Sequence, residues 1–163
     1  LAARHKRLLE MTGSGPNGGH ADGGHILRLA DRVTIGLSAR TDRTGAGELA
    51  GLLAELGYRA EIAETPPGVL HFKTGCGLID KRTILAVPAL AACPEFDGLE
   101  VVTTPPGEEA AANILRIRDT VLVGDRWSAT HALLVARGIE IRALPTDQIA
   151  HIDAGLSCMS LRW

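Results

Sequence analysis

The fold is indicated by residues 26–37, which read ILRLADRVTIGL. Residues 26–29 and 33–37 are rich in branched apolar side chains, and such runs are typical of strands. The three residues between them, 30–32, contain two charged side chains and predict a tight turn. The stretch is therefore interpreted as two neighbouring strands joined by a hairpin.

A helix and a third strand are predicted after this hairpin. Four leucines recur at helical spacing over residues 47–56, which predicts a helix with one apolar face. Gly57 follows at the position where a glycine commonly ends a helix. Residues 58–63 then predict a strand, so that the complete unit has the order ββαβ.

The same order returns twice in the chain. The second unit has predicted strands at 69–72 and 83–87, a short helix at 88–92 and a strand at 99–103. The third has strands at 113–118 and 120–124, a helix at 127–137 and a strand at 139–144. Repetition of one unit predicts an α/β fold in which each copy buries its apolar face against its neighbours.

Pro-Pro-Gly occurs at 66–68 and again at 105–107, which marks the boundaries between units. We therefore predict a single domain over residues 1–163. Its parts are an N-terminal helix with a Gly-rich loop (1–20), one module at 21–64, a second at 65–104, and a third at 105–163. The third module ends with an additional strand that carries Cys158. The glycines at 13–18 match G-x-G-x-x-G, but no strand precedes them, and we interpret them as a loop.

Composition excludes several classes of protein. The net charge is −2 and aromatic residues make up 3%, which argues against nucleic-acid binding. No apolar run reaches the about 18 to 20 residues that a membrane helix needs. The three cysteines are an odd number at wide spacing, which favours a reducing, cytoplasmic setting over a disulfide framework.

Four residues at unit boundaries could carry chemistry: Asp22, Arg40, His71 and Cys158. A cysteine thiolate attacks electron-poor carbon, a histidine transfers protons, and a carboxylate orients the histidine. An arginine can hold a substrate carboxylate through two hydrogen bonds. Each residue also has an ordinary structural interpretation, namely a buried apolar cysteine, a core histidine, a turn aspartate and a surface arginine. The residue types alone leave both interpretations open.

Five segments resemble those of the dimethylarginine dimethylaminohydrolase family, within the pentein superfamily of guanidino-modifying enzymes. They are Asp22-Gly23-Gly24, the GLSART segment at 36–41, LHFKTGC at 70–76, EEAAAN at 108–113, and the tail LSCMSLRW at 156–163. They occur in the family's order and extend over nearly everything from Asp22 onward.

The resemblance implies a pentein-type α/β propeller of ββαβ modules with the active site at its centre. It implies that Cys158 attacks the guanidinium carbon of an N-methylated arginine. His71 would protonate the leaving amine and later activate water, Asp22 would orient His71, and Arg40 would bind the substrate carboxylate. The products would be citrulline and methylamine or dimethylamine, and no metal or organic cofactor would take part.

Two departures from the family pattern add further expectations. His25 stands where the family has an aspartate, and together with His71 and Cys158 it could supply three ligands to an inhibitory zinc ion. The chain has about three of the family's five modules, which predicts association with the absent N-terminal modules or with itself. The alternatives are arginine deiminase or amidinotransferase activity, or a binding subunit without catalysis.

Overall fold

The computed structural model describes residues 9–11, 18–69 and 71–160. Most of the predicted N-terminal helix and Gly-rich loop at 1–20 lies outside these residues. Over the rest, the three predicted ββαβ modules are present, each with its own three-stranded sheet. Among the helices in the described ranges, none has the length and apolar character needed to cross a membrane.

Outside residues 69–78 and the segment around Cys158, the strands follow the predicted order with small shifts at their ends. The first module contains β1 (Ile26–Arg28), β2 (Val33–Leu37), α1 (Arg43–Glu55) and β3 (Ala60–Glu64). The second contains α2 (Phe72–Gly75), β4 (Cys76–Leu78), β5 (Thr83–Ala86), 3-10 helices at Pro88–Leu90 and Pro94–Phe96, and β6 (Glu100–Thr103). The third contains β7 (Leu115–Ile117), β8 (Thr120–Gly124), α3 (Ser128–Ala136), β9 (Glu140–Leu144) and α4 (Asp147–Ala150). Two more 3-10 helices, Gly23–His25 and Glu109–Ala112, precede β1 and β7.

Each sheet has the same topology. The second strand of the module is central, antiparallel to the first strand and parallel to the third. The parallel pair requires a crossover connection, which α1 and α3 supply in the outer modules and the two 3-10 helices supply in the second. A glycine follows each crossover with a left-handed backbone, at φ +83° for Gly57, +84° for Gly98 and +74° for Gly138. Glycine adopts this conformation without steric cost, so the three positions end the connections in the same way.

Of the three core clusters in the described residues, one lies within the first module around Ile35, and the other two join neighbouring modules. One cluster joins Leu27 and Leu29 of the first module to Phe72, Ile84 and other residues of the second. A second cluster joins Leu85 of the second module to Val121, Val123 and Leu134 of the third. Adjacent residues of β5 thus enter different clusters, because side chains alternate between the two faces of a strand. The modules stabilise one another, as the repetition in the sequence predicts.

The predicted strand at 69–72 is wrong. His71 caps the short helix α2, and its carbonyl oxygen accepts hydrogen bonds from the N–H groups of Thr74 and Gly75. The hydroxyl of Thr74 donates to the same oxygen at 2.8 Å. The apolar pattern around Phe72 suits a buried strand and a buried turn of helix equally, and these local hydrogen bonds favour the helix.

The predicted strand around Cys158 is also wrong, since residues 156–159 form turns. The N–H groups of Cys158 and Met159 both donate to the carbonyl oxygen of Gly155, and the Ser160 N–H donates to that of Ser157. These bonds close within the segment, so its backbone does not pair with any β-strand of the described residues. Cys158 is exposed as a result.

Glu108 caps helix α3 across the third module. Its carboxylate accepts hydrogen bonds from the Ala129 N–H at 3.0 Å, and from the Thr130 N–H and hydroxyl at 2.7 Å each. Burial works against the charged form, but these hydrogen bonds outweigh it and hold the pKa of Glu108 below its usual value. The carboxylate therefore stabilises the fold at neutral pH, and this contribution is lost as the pH falls through the lowered pKa.

We expect Glu108→Ala to lower the free energy of unfolding by about 1 to 2 kcal/mol, since it removes a helix cap. For a chain of this size, that corresponds to a decrease in Tm of about 3 to 6 °C. Glu108→Gln should lower the free energy of unfolding less than Glu108→Ala does at neutral pH. Its Tm should approach that of the wild type below about pH 4, where the wild-type carboxylate becomes protonated. Thermal unfolding followed by circular dichroism at both pH values tests this. A constant difference between Glu108→Gln and the wild type across the pH range would contradict it.

Candidate functional site

The first strands of the three modules surround a common cavity of about 360 Å³. Residues of β1, β4 and β7 line it, together with Lys73 of α2 and with Ser157 and Ser160 of the turn near Cys158. The segments that precede these three strands also meet, since α2 contacts the 3-10 helices that precede β1 and β7. The residues predicted for chemistry come from these segments and from the neighbouring turns.

Asp22 precedes β1 and caps the 3-10 helix Gly23–His25. Its Oδ1 atom accepts a hydrogen bond from the Gly24 N–H at 2.7 Å, and its own N–H donates to the hydroxyl of Thr41 at 2.9 Å. Because Thr41 is fully buried, its hydroxyl holds the Asp22 backbone in a defined position. The Gly24 N–H occupies Oδ1, and Oδ2 faces the side chains of Arg40 and His71.

Several groups hold the pKa of Asp22 below its usual value. The hydrogen bond from the Gly24 N–H is the largest cause, while partial burial of the carboxyl opposes it. The charges of His71, His25 and Arg40 act in the same direction as the hydrogen bond. Asp22 is therefore a carboxylate at neutral pH, which is the form that can orient an imidazole and stabilise its protonated state.

His71 faces Asp22 from the second module. Its Nε2 atom lies 3.7 Å from Asp22 Oδ2, and its side chain is 16% exposed. The ring passes close to Gly24, where a Cβ atom would lie 2.6 Å from His71 Cδ2. The position of the imidazole thus restricts residue 24 to glycine, whereas a Cβ atom at Gly23 would meet no other atom within 4 Å.

Arg40 completes this cluster. It follows β2 in a turn closed by an antiparallel bridge between Ser38 and Thr41. Its Nη1 atom lies 3.3 Å from His71 Nε2 and 3.7 Å from Asp22 Oδ2. The side chain is 62% exposed, so it can reach a ligand in solution. The structure thus brings Asp22, Arg40 and His71 together.

His25 lies behind His71 and is fully buried. The two rings meet edge to face with centroids 5.2 Å apart, and His25 Nδ1 lies 3.4 Å from the hydroxyl of Thr65. In the described part of the chain, no three His, Cys, Asp or Glu side chains are placed to hold a metal ion. The zinc site predicted at His25, His71 and Cys158 is therefore not formed, because His25 packs into the interior.

Cys158 is held by a residue that the sequence did not single out. The amide Nδ2 of Asn113 donates to the Cys158 sulfur at 3.8 Å, and its Oδ1 accepts from the Ser157 N–H at 2.9 Å. No hydrogen bond or ion pair within the described residues joins Cys158 directly to His71. The signals available in the sequence were that Asn113 ends the EEAAAN segment at 108–113 and that it precedes the first strand of its module, as His71 does.

We expect Cys158 to be the most reactive cysteine. Cys76 is buried, and this burial raises the pKa of its thiol. Burial, and then the charge of Glu95, also raise the pKa of Cys93. Iodoacetamide should therefore modify Cys158 at least ~10-fold faster than the other two, as peptide mass spectrometry can measure. The chain in denaturant, where all three should react alike, is the control, and equal rates in the folded chain would contradict the prediction.

A scan of the sequence against protein-family models gives no match. Two curated relatives are dimethylarginine dimethylaminohydrolases. The one from Pseudomonas aeruginosa is 30% identical over 145 residues, which is 89% of this chain and 57% of the relative. The one from Streptomyces coelicolor is 25% identical over 88% of this chain and 55% of the relative. The chain thus spans little more than half the length of these relatives.

Solved structures show the same relationship. The Pseudomonas aeruginosa enzyme, as a cysteine-to-serine variant complexed with citrulline, matches with a TM-score of 0.83 at 29% identity. The match covers 89% of this chain and 56% of that one. An inosamine-phosphate amidinotransferase from Streptomyces griseus matches in fold, with a TM-score of 0.69 at 18% identity over 78% of this chain and 41% of that one. The chain is therefore homologous to dimethylarginine dimethylaminohydrolases, and the predicted pentein-type fold of ββαβ modules is confirmed.

Proposed function

We propose that this chain carries the catalytic residues of a hydrolase that converts N-methylated arginine to citrulline and methylamine or dimethylamine. The observation that supports this most directly is the cluster of Asp22, His71 and Arg40. It accompanies an exposed cysteine on a neighbouring turn. The related enzyme of Pseudomonas aeruginosa has been solved with citrulline bound, which supports the product class.

In the first step, the Cys158 thiolate attacks the guanidinium carbon of the substrate. The carbon–sulfur bond forms, and the bond from that carbon to the methylated nitrogen breaks. His71 in its protonated form donates a proton to the departing amine, and Asp22 stabilises this form at 3.7 Å. A cationic thiouronium remains attached to the sulfur.

In the second step, His71 accepts a proton from a water molecule, and the oxygen attacks the thiouronium carbon. The carbon–sulfur bond then breaks, the second proton of the attacking water passes to solvent, citrulline leaves, and Cys158 is again a thiolate. The planar guanidinium of the substrate is proposed to lie between Cys158 and His71.

Arg40 is proposed to bind the α-carboxylate of the substrate. Its present contacts are with Asp22 and His71, which face the reacting end of the substrate rather than the carboxylate end. The side chain must therefore turn outward when substrate binds. The Arg40 side chain is 62% exposed and has several rotatable bonds, which allow this movement. When the Arg40 guanidinium moves away, His71 Nε2 can exchange a proton with the substrate.

Citrulline formation by the purified chain tests the proposal. N-monomethylarginine, asymmetric dimethylarginine and arginine are supplied separately, and citrulline is quantified by mass spectrometry. We expect product from the methylated substrates in excess of that from arginine. If citrulline forms mainly from arginine, the chain is a deiminase instead. If a folded chain forms no citrulline from any of the three substrates, turnover by these modules alone is contradicted.

Association of this chain with itself or with further modules is part of the same proposal. Several large apolar side chains are exposed, among them Ile62, Ile117 and Val135. Exposed apolar surface of this kind favours contact with another protein surface. Sedimentation velocity on the sample used for the assay shows whether active material is a monomer or an oligomer.

A further inference from the structure

Asn113 anchors the turn that carries Cys158. Within the described residues of segment 155–160, two hydrogen bonds reach outside the segment, and both go to the side chain of Asn113. The remaining ones close inside it, from Cys158 and Met159 to Gly155, and from Ser160 to Ser157. The position of the sulfur therefore depends on one amide group.

The backbone that carries this amide is held in place by a hydrogen bond and by buried neighbours. Asn113 ends the 3-10 helix Glu109–Ala112, and its N–H donates to the Ala110 carbonyl oxygen at 3.3 Å. The residues on either side, Ala112 and Ile114, are 0% and 4% exposed. Because both neighbours are buried, the Asn113 backbone cannot shift without disturbing the core.

Gly155 is shaped to receive this amide. A Cβ atom at residue 155 would lie 2.2 Å from Asn113 Nδ2 and 2.4 Å from its Cγ atom. Contacts this short do not occur, so any side chain at 155 would push the turn away from Asn113. The amide is thus packed against the glycine backbone as well as hydrogen-bonded to the turn.

Each of the three modules contributes one residue from the segment that precedes its first strand. Asp22 precedes β1, His71 precedes β4 and Asn113 precedes β7. The first two supply a carboxylate and an imidazole, and the third supplies an amide whose N–H faces sulfur. An N–H donor favours the anionic form of a thiol, and the thiolate is the nucleophile.

We propose that Asn113 is the positioning residue of Cys158, which holds the turn through Oδ1 and directs and stabilises the sulfur through Nδ2. The inference rests on the proposed function in that it takes Cys158 as the nucleophile. Asn113→Asp provides a sharp test, because the carboxylate keeps an acceptor for the Ser157 N–H. It replaces the donor with a negative oxygen beside the sulfur.

The rate of Cys158 alkylation by iodoacetamide at neutral pH is the primary measurement, since it requires no turnover. We expect Asn113→Asp to lower this rate by about 10-fold or more while Tm changes little. Gly155→Ala should also lower the alkylation rate of Cys158, although Asn113 is retained, because the added methyl group would push the turn away from the Asn113 amide. Cys93, which lies in the second module, is modified in the same sample and should keep its wild-type rate.

Citrulline formation gives the second measurement. We expect Asn113→Asp to lower kcat by a similar factor with a smaller change in KM, because the substrate contacts of Arg40 and Asp22 remain. A wild-type alkylation rate in Asn113→Asp would overturn the proposal. If the wild-type chain forms no citrulline, the proposed function fails, and the alkylation rates still decide the role of Asn113.

Discussion

Cys158→Ser is expected to abolish citrulline formation, with a loss of at least ~10³-fold in kcat. A serine hydroxyl is a far weaker nucleophile than a thiolate, and nothing in the described surroundings of Cys158 is arranged to activate it. The residue is exposed in a turn, so the substitution should leave Tm close to the wild-type value. Loss of activity can then be assigned to chemistry rather than to folding.

The matched control for this variant is Cys93→Ser. Cys93 is half-buried beside the second module's core and takes no part in the proposed reaction. It should retain wild-type turnover. Acid quenching during turnover, followed by peptide mass spectrometry, should find a covalent adduct on the Cys158 peptide of the wild type and none in Cys158→Ser. Citrulline formation by Cys158→Ser at the wild-type rate would exclude Cys158 as the nucleophile.

The sequence predicted the repeated module well because each unit carries independent signals. Strand β8 spans Thr120–Gly124 as expected, and Gly57, Gly98 and Gly138 end the crossovers with a left-handed backbone. These signals are local, since apolar periodicity and a glycine require no knowledge of distant contacts. Where three copies agree, errors in the bounds of any one strand matter little.

The segments near the site were predicted less well, because the apolar pattern of one fits two conformations and the other depends on a distant contact. Phe72 fits a buried strand by its pattern, but local hydrogen bonds to His71 make the segment helical. The turn at Cys158 depends on Asn113, which is 45 residues away in sequence. Spacing along the chain contains no information about such a pair.

The site residues themselves were recognised through segments shared with a family rather than through geometry. The structure brings Asp22, Arg40 and His71 within hydrogen-bonding or ion-pair distance, which the sequence alone could only suggest. It also shows that His25 packs inward rather than toward a metal. His25 ends the 3-10 helix Gly23–His25, and no helix was predicted at this point of the sequence.

His71→Ala is expected to lower citrulline formation from N-monomethylarginine by about 10²- to 10⁴-fold, the range for loss of a general acid and base. The physical reason is the leaving group, because an amine departs from carbon only when it receives a proton. A thiol departs as an anion and has no such need. S-methyl-L-thiocitrulline should therefore still react with Cys158 in this variant, and the adduct should accumulate because His71 is also needed to activate water.

Asp22→Asn provides the matched variant for His71→Ala. Asparagine keeps an oxygen for the Gly24 N–H, so the local fold should persist, while the charge that faces His71 is removed. We expect Asp22→Asn to lower citrulline formation from N-monomethylarginine less than His71→Ala does. As in His71→Ala, the reaction with S-methyl-L-thiocitrulline should be affected less than the reaction with N-monomethylarginine. Rapid-quench measurement of adduct and product for both substrates separates the two steps. An equal loss with both substrates in His71→Ala would show that the imidazole positions the substrate and does not protonate the leaving amine.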